Sequence, residues 1–167
     1  MLSDVAELFG ENAVAPAADR RLTRRLVDVW ARSARGQFPS WDALQEADLG
    51  EDWDWAFVVD LEKSIGFPYF IFVGERLARL SDIYLSGEDD WTLTVLDKAT
   101  ADVYAAVAGE APHFRDDTLV LCDGRRLLFR AVTAPLAADG STISHVIGVA
   151  SGRLASEIEP GLNLVTS

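Results

Sequence analysis

The sequence predicts an α+β fold built on a small, curved antiparallel sheet with helices crossing one of its faces. Two strand-like runs come first, two helical segments follow, and three more strand-like runs come last. The strand-like runs are Trp55–Leu61, Pro68–Val73, Arg115–Cys122, Arg125–Pro135 and Thr142–Ser151. The helical segments are Glu75–Leu80 and Thr92–Val107. This order is more typical of a sensing or docking module than of an enzyme.

Length and charge limit the classes of function. The chain has 167 residues, which fits one domain with terminal extensions, and a formal net charge of −12. Such an acidic chain is unsuited to nucleic acid or to an anionic membrane surface, so a basic partner, or a charge that serves only solubility, fits better. No segment is long and uncharged enough to cross a bilayer, and Met1–Glu11 carries acids where a signal peptide carries a basic region. A cytoplasmic protein is therefore predicted.

Both ends of the chain are predicted to lie outside the domain. Residues 1–17 form a leader and linker, in which Val5, Leu8 and Phe9 can make one apolar helical turn. Residues 153–167 form a C-terminal tail that contains a Pro-Gly pair.

A helix is predicted at 19–35, from an N-terminal cap at Asp19 to a stop at Gly36. Its apolar residues recur at helical spacing and are Leu22, Leu26, Val29 and Trp30. The opposite face is basic and carries Arg20, Arg21, Arg24, Arg25 and Arg32. We expect this basic face to be solvated and the apolar stripe to pack on the sheet.

The first two strands predict a sheet that is apolar on both faces. Phe70 and Phe72 are expected on one face, and Tyr69, Ile71 and Val73 on the other. A strand with one wet face would alternate apolar and polar residues, so both faces of this sheet should be covered. The helix at 19–35 is the expected cover of the outer face.

Three segments of the chain carry a family resemblance. They are the helix ending in R-L-V-D-V-W-A-R-S-A-R-G and followed by Pro39, the segment Y-F-I-F-V-G-E-R-L-A-R-L at Tyr69–Leu80, and A-P-L-A-A-D-G-S-T-I-S-H-V-I-G-V-A at Ala134–Ala150. Together they resemble the PAS domain family, and in particular the single PAS modules of alphaproteobacteria. The resemblance covers roughly residues 20–152.

The PAS resemblance implies a domain at 18–152 with a five-stranded antiparallel sheet in the order 2-1-5-4-3. Helices would cover the concave face, where they can enclose a small-molecule pocket, and the N-terminal helix would lie on the outer face. Modules of this family bind haem, flavins or metabolites, or bind no ligand and pair with other proteins.

Neither haem nor flavin is predicted as a cofactor. Haem needs an axial ligand such as His or Cys, and Thr92–Val107 contains neither. The two histidines, His113 and His145, fit surface or structural positions better. Flavin–cysteine photochemistry needs a thiol on a helix above the flavin, whereas Cys122 lies on a predicted strand and is expected to be half-buried.

No motif of an enzyme or a metal site is present in the sequence. No nucleophile elbow surrounds a serine, and there is no phosphate-binding G-x-x-x-x-G-K motif. The acids Glu88, Asp89 and Asp90 lack the spacing of a calcium loop and are expected to form a solvated run. No catalytic or metal-binding residue is therefore predicted.

Apolar side chains are predicted to gather between the inner face of the sheet and the second helical segment. The set comprises Phe57, Phe70, Phe72, Leu96, Thr100, Val103 and Phe129. It forms either a dry packed core or the lining of an apolar ligand pocket. Arg130, which lies among apolar neighbours on a strand, either reaches into that cavity toward a carboxylate or is exposed on the other face.

The predicted function is regulation of a protein partner by direct contact, for example in a histidine-kinase pathway. The candidate interface residues are Leu22, Leu26, Trp30 and Trp41, because Trp is enriched at contact hot spots. The same helix is the candidate surface of a homodimer. The second hypothesis is a sensor that binds a small apolar ligand, and the third is an enzyme of unknown type.

Overall fold

The computed structural model describes residues 16–87 and 93–155, with side chains from residue 21 onward. Within these ranges the strands are β1 (Ala56–Asp60), β2 (Phe70–Val73), β3 (His113–Val120), β4 (Arg126–Leu136) and β5 (His145–Leu154). They form one sheet in the order β2-β1-β5-β4-β3, and every adjacent pair is antiparallel. The α+β class and the strand order that the PAS resemblance implies are confirmed.

Short helices connect and cover the strands. They are α1 (Pro16–Ser33), α2 (Trp41–Gln45), α3 (Glu75–Ala78), α4 (Val95–Ala99) and α5 (Val103–Gly109). Two 3-10 helices are present at Gly50–Trp55 and Arg79–Asp82.

Helices cover both faces of the sheet around its central strands, as the apolar strands predict. The inner core lies between the sheet and the helices α3, α4 and α5, and its buried members include Phe57, Leu77, Val95, Val103 and Phe129. The outer core lies between the sheet and the helices α1 and α2, and its buried members include Leu26, Leu44, Val58, Val132 and Ile147. The central strand β5 contributes to both cores, because successive side chains of a strand point to opposite faces.

Helix α1 covers the outer face of the sheet, as predicted. Leu22 and Leu26 are buried against the sheet. The indole Nε1 of Trp30 donates a hydrogen bond to the carbonyl oxygen of Pro135 at 2.7 Å, which ties the end of the helix to β4. The helix starts before Asp19, the predicted N-terminal cap, because it already includes Pro16. Pro suits the first turn of a helix, where a missing N–H costs nothing.

One prediction about the sheet is wrong, because Phe72 does not share a face with Phe70. Val58 pairs with Phe72 and Val59 pairs with Phe70, so Ile71 is an extra residue in β2. This β-bulge interrupts the alternation of side chains. Phe70 therefore packs on the inner core, and Phe72 packs on the outer core.

The predicted continuous helix at Thr92–Val107 is also wrong. The structure has two short helices here, α4 and α5, with a turn between them. Thr100 ends α4, and its hydroxyl donates to the carbonyl of Leu96 at 3.2 Å, a bond that competes with helix propagation. Residues 88–92, which include the predicted acidic run, lie outside the described residues.

The last strand is longer than predicted. It continues beyond Ser151 to Leu154, so Arg153 belongs to the sheet rather than to the tail. Residues 156–167 and the leader residues 1–15 lie outside the described part of the chain. The domain limits of 18 and 152 therefore stay a prediction.

Replacing Gly148 by Ala is expected to destabilise the domain, because this glycine lies directly against an aromatic ring. A Cβ at Gly148 would be 2.5 Å from two ring atoms of Phe57, and no real contact is that short. We expect a loss of about 1–3 kcal/mol in the free energy of unfolding, measured by urea titration. The control is Gly109→Ala at the end of α5, where a Cβ meets nothing within 4 Å. An equal loss in both variants would contradict this packing.

Candidate functional site

The predicted pocket residues on the inner face mostly form a packed core. Phe57, Val103 and Phe129 are at most 3% exposed. Phe70 and Leu96 pack against the same cluster while remaining half-buried. The structure therefore places these side chains in a packed cluster.

A cavity of about 290 Å³ opens at the edge of this inner core. It lies between the β1–β2 connection and the turn that separates α4 from α5. Its walls are Val59, Ser64, Gly66, Phe67, Pro68, Thr100, Ala101, Val103 and Tyr104. Thr100 and Val103 are thus the predicted pocket residues that line it. The volume is at the lower limit of roughly 300–1,000 Å³ that is usual for small-molecule pockets.

Large exposed side chains lie in the walls of this cavity and beside them in the β1–β2 turn, where Ile65 and Tyr69 flank the lining segment Gly66–Pro68 in the sequence. Ile65 is 82% exposed, Phe67 78%, Tyr104 60% and Tyr69 47%. Phe67 and Tyr104 both line the cavity, so the turn and α5 each contribute one exposed aromatic side chain to its walls. We call these four residues the aromatic patch. A clustered apolar surface of this kind commonly marks an interaction site.

The turn that carries the patch is held by its own polar groups. The carboxylate of Asp60 accepts hydrogen bonds from the backbone N–H groups of Glu62 and Lys63, at 3.0 and 3.3 Å. The hydroxyl of Ser64 donates to the carbonyl of Asp60 at 2.6 Å and accepts from the N–H of Tyr69 at 3.0 Å. The Lys63 ammonium lies 5.3 Å from the centre of the Tyr69 ring. These bonds restrict the turn that exposes the apolar side chains.

The other side of the patch is anchored by an ion pair at the start of α5. Asp102 directly precedes the helix, and its carboxylate oxygens lie 2.5 and 3.0 Å from Nε and Nη2 of Arg115. Arg115 also donates to Asp117 at 3.1 Å. The hydrogen bonds from Arg115 lower the pKa of Asp102, against the opposing effect of burial. This pair fixes the first turn of α5, and with it Tyr104, to the edge strand β3.

Arg130 does not reach the inner cavity and lies on the outer face. It is paired across the sheet with Asp116, and its Nη1 donates to that carboxylate at 2.9 Å. Side chains alternate along β4, so Phe129 points inward and Arg130 points outward. The predicted carboxylate partner therefore exists, but on the surface that faces α1.

The candidate interface residues form the outer core instead of a free surface. Leu22 and Leu26 are 4% and 0% exposed. Trp30 and Trp41 pack against the same cluster, and the Trp41 ring lies 5.7 Å from the ring of Phe72. The apolar stripe is needed to cover the sheet, so it leaves little surface for a partner.

Each histidine of the described residues lies near one aspartate. In residues 16–87 and 93–155, no group of three His, Cys, Asp or Glu side chains could hold a metal ion. His113 and His145 lie 3.7 and 3.6 Å from the carboxylates of Asp102 and Asp60. Cys122 is exposed, not half-buried as predicted, because it lies in the turn after β3.

Sequence reasoning missed the aromatic patch. The signal was present in K-S-I-G-F-P-Y at 63–69, where apolar residues occur in a turn with Gly and Pro. Turns normally carry polar residues, so apolar residues at this position deserve explanation. Tyr104 gave no such signal, because a tyrosine in a short helix fits a core equally well.

Comparison with known proteins gives similarities of structure only. No protein-family model matches the chain, and no curated protein sequence matches it. The PAS domain from Bordetella pertussis BvgS aligns with 15% identity over 66% of this chain and 82% of its own, with a TM-score of 0.36. The light-state structure of the Aureochrome1 LOV domain aligns with 15% identity over 64% of this chain and 85% of its own, with a TM-score of 0.40. None of the described helices is long and apolar enough to cross a membrane.

The ion pair of Asp102 predicts how stability depends on pH. A lowered pKa means that the pair stabilises the fold above the usual carboxyl value of 3.8, and that this contribution is lost as the pH falls through the lowered value. We expect Asp102→Asn to lower the free energy of unfolding at pH 7 by about 1–3 kcal/mol. The fall in this free energy below pH 4 should also be smaller in the variant than in the unmodified chain. Urea titrations between pH 2 and pH 7 would measure both.

The control for this prediction is Asp116→Asn, which removes the more exposed carboxylate of the Arg130 pair. We expect a change of less than about 1 kcal/mol at pH 7. If the free energy of unfolding of Asp102→Asn fell with pH as it does in the unmodified chain, the Asp102–Arg115 pair would not anchor α5.

Proposed function

We propose that the protein is a PAS-type signalling module that acts by binding a protein partner at the aromatic patch. The observation that carries the proposal is the exposure of Phe67 and Tyr104, which line one cavity, together with the exposure of Ile65 in the same turn as Phe67. Aromatic side chains at the centre of a contact supply much of its binding energy once water is excluded. The assignment to signalling rests on analogy with the fold alone.

The charge of the protein supports a partner with a basic surface. The chain carries a net charge of −12, which would repel an acidic partner and speed the approach of a basic one. A kinase of a two-component pathway with such a surface is the specific partner that we propose. A partner surface with apolar side chains at its centre and basic groups at its rim would match the aromatic patch and the acidic protein around it.

The layout of the sheet supports regulation by a shift between two arrangements. The strand β1 carries Val59 at the cavity wall and Val58 in the outer core. At its end, the Asp60 carboxylate holds the turn and lies 3.6 Å from Nε2 of His145 in β5. A partner that prefers one position of the turn would therefore bias the packing of β1 and the helix α1 on it.

Replacing Phe67 by Ser is expected to abolish partner binding without unfolding the domain. Phe67 is 78% exposed, so its loss should change the free energy of unfolding by no more than about 0.5 kcal/mol. Loss of a central aromatic contact should weaken binding by at least about tenfold. The measurement is quantitative affinity capture from the native cell, followed by titration of the purified partner against each variant.

The matched control is Phe114→Ser, which removes a 55% exposed aromatic side chain from the outer face. Retention of the partner by this control, together with loss in Phe67→Ser, would support the patch. The opposite result would move the binding surface to the outer face, and equal binding by both variants would reject the patch.

The second candidate function is small-molecule sensing, which the 290 Å³ cavity favours. If the protein acts through partner contact and binds no small molecule, the purified protein should have the mass of the chain alone. Native mass spectrometry, compared with the mass after denaturation, measures this. Additional mass that is lost on denaturation, and that diminishes in a Thr100→Phe variant designed to fill the cavity, would favour the sensor instead.

A further inference from the structure

The outer face of the sheet carries a groove that helix α1 leaves open. Two adjoining depressions of about 580 and 430 Å³ share Asp116 and Arg130, and they run from the side of α1 across β3 and β4. We call them the α1–β3 groove. Helix α1 covers β5 and β4, so the half of the outer face toward β3 has no helix over it in the described part of the chain.

The groove combines apolar contacts with charged groups of both signs, since Asp28, Asp116 and Asp117 line it beside three arginines. Val27 from α1, Phe114 from β3 and Leu128 from β4 line it, and Phe114 is 55% exposed. The basic side chains along it are Arg24, Arg130 and Arg153. Asp116 is bound to Arg130, whereas Arg24 has no ion-pair partner among the described residues. Asp28 borders the end of the groove farther along α1.

We infer that the α1–β3 groove is the docking site of the protein's own leader, residues 1–15. The leader contains Val5, Leu8 and Phe9, whose i, i+3 and i+4 spacing would suit one apolar helical turn. It also contains three acids and no Lys or Arg, the acids being Asp4, Glu7 and Glu11. Apolar side chains would meet the apolar wall of the groove, and the acids would meet Arg24, since Arg130 is already bound to Asp116. This inference is independent of the function proposed for the aromatic patch.

The chain is long enough to reach the groove from the start of α1. From Pro16 to Val27 the helix rises by about 16 Å, at 1.5 Å per residue. The segment 10–15 spans up to about 20 Å when extended, which allows the chain to turn back alongside α1. Gly10 and Asn12 suit such a reversal. Because the segment is tethered, its effective concentration is on the order of millimolar, so a weak contact suffices.

Paramagnetic broadening in the full chain tests the inference. A nitroxide is attached at Ser3→Cys in a Cys122→Ser background, and amide signals of the isotope-labelled protein are recorded with the label oxidised and reduced. We expect loss of signal at Val27, Phe114 and Leu128, and none at Gly66 in the β1–β2 turn. A folded chain with no broadening along the groove would overturn the inference.

A mixed sample separates the leader from a second copy of the chain as occupant. Isotope-labelled chains without nitroxide are mixed with unlabelled chains that carry it. We expect no broadening in the mixture. Groove signals that broaden in the mixture as strongly as in the chain that carries both labels would assign the groove to a second copy and overturn the inference.

Variants test the chemistry of the contact. Leu8→Asp and Arg24→Glu should each remove the broadening, whereas Arg32→Glu should keep it. Both arginines are exposed on α1, but only Arg24 lines the groove. Broadening that persists in Leu8→Asp and Arg24→Glu, or that is lost equally in Arg24→Glu and Arg32→Glu, would contradict docking at these residues.

Discussion

Burial of one sheet on both faces is the constraint on which the rest of this structure depends. Strand β5 lies between β1 and β4, with Val146 and Ala150 in the inner core and Ile147 and Val149 in the outer core. A shift of one residue in its pairing would exchange these two sets, so its register is closely determined. The helices on each side are then needed as covers, and those covers explain why the predicted interface and much of the predicted pocket are core.

The candidate site lies at the edge of the inner core, outside the paired residues of the sheet. The β1–β2 turn lies beyond the paired residues, so its side chains are not required to fill either core, and α5 buries Val103 and Ala106 while it exposes Tyr104. Ile65 and Phe67 are exposed although the turn beneath them is held by Asp60 and Ser64. A restrained turn with exposed apolar side chains loses little conformational freedom on binding, which suits it to recognition.

The two faces of the domain offer different surfaces. The aromatic patch is apolar and lies beside the inner core, whereas the α1–β3 groove mixes arginines with apolar side chains on the outer face. The patch adjoins β1 and the groove adjoins β3 and β4, so the two surfaces lie on different strands of one sheet.

Local patterns in the sequence determined the strands, the strand order through the PAS resemblance, and the cover at Leu22 and Leu26, because periodicity and apolar content depend on neighbouring residues. Only the tertiary structure decided the face of Phe72, since one extra residue in β2 interrupts an alternation that the sequence displays as regular. It also decided that α4 and α5 are separate and that Arg130 faces outward. These outcomes depend on contacts between residues far apart in the chain, such as Asp102 with Arg115 and Arg130 with Asp116. No pattern of local spacing contains that information.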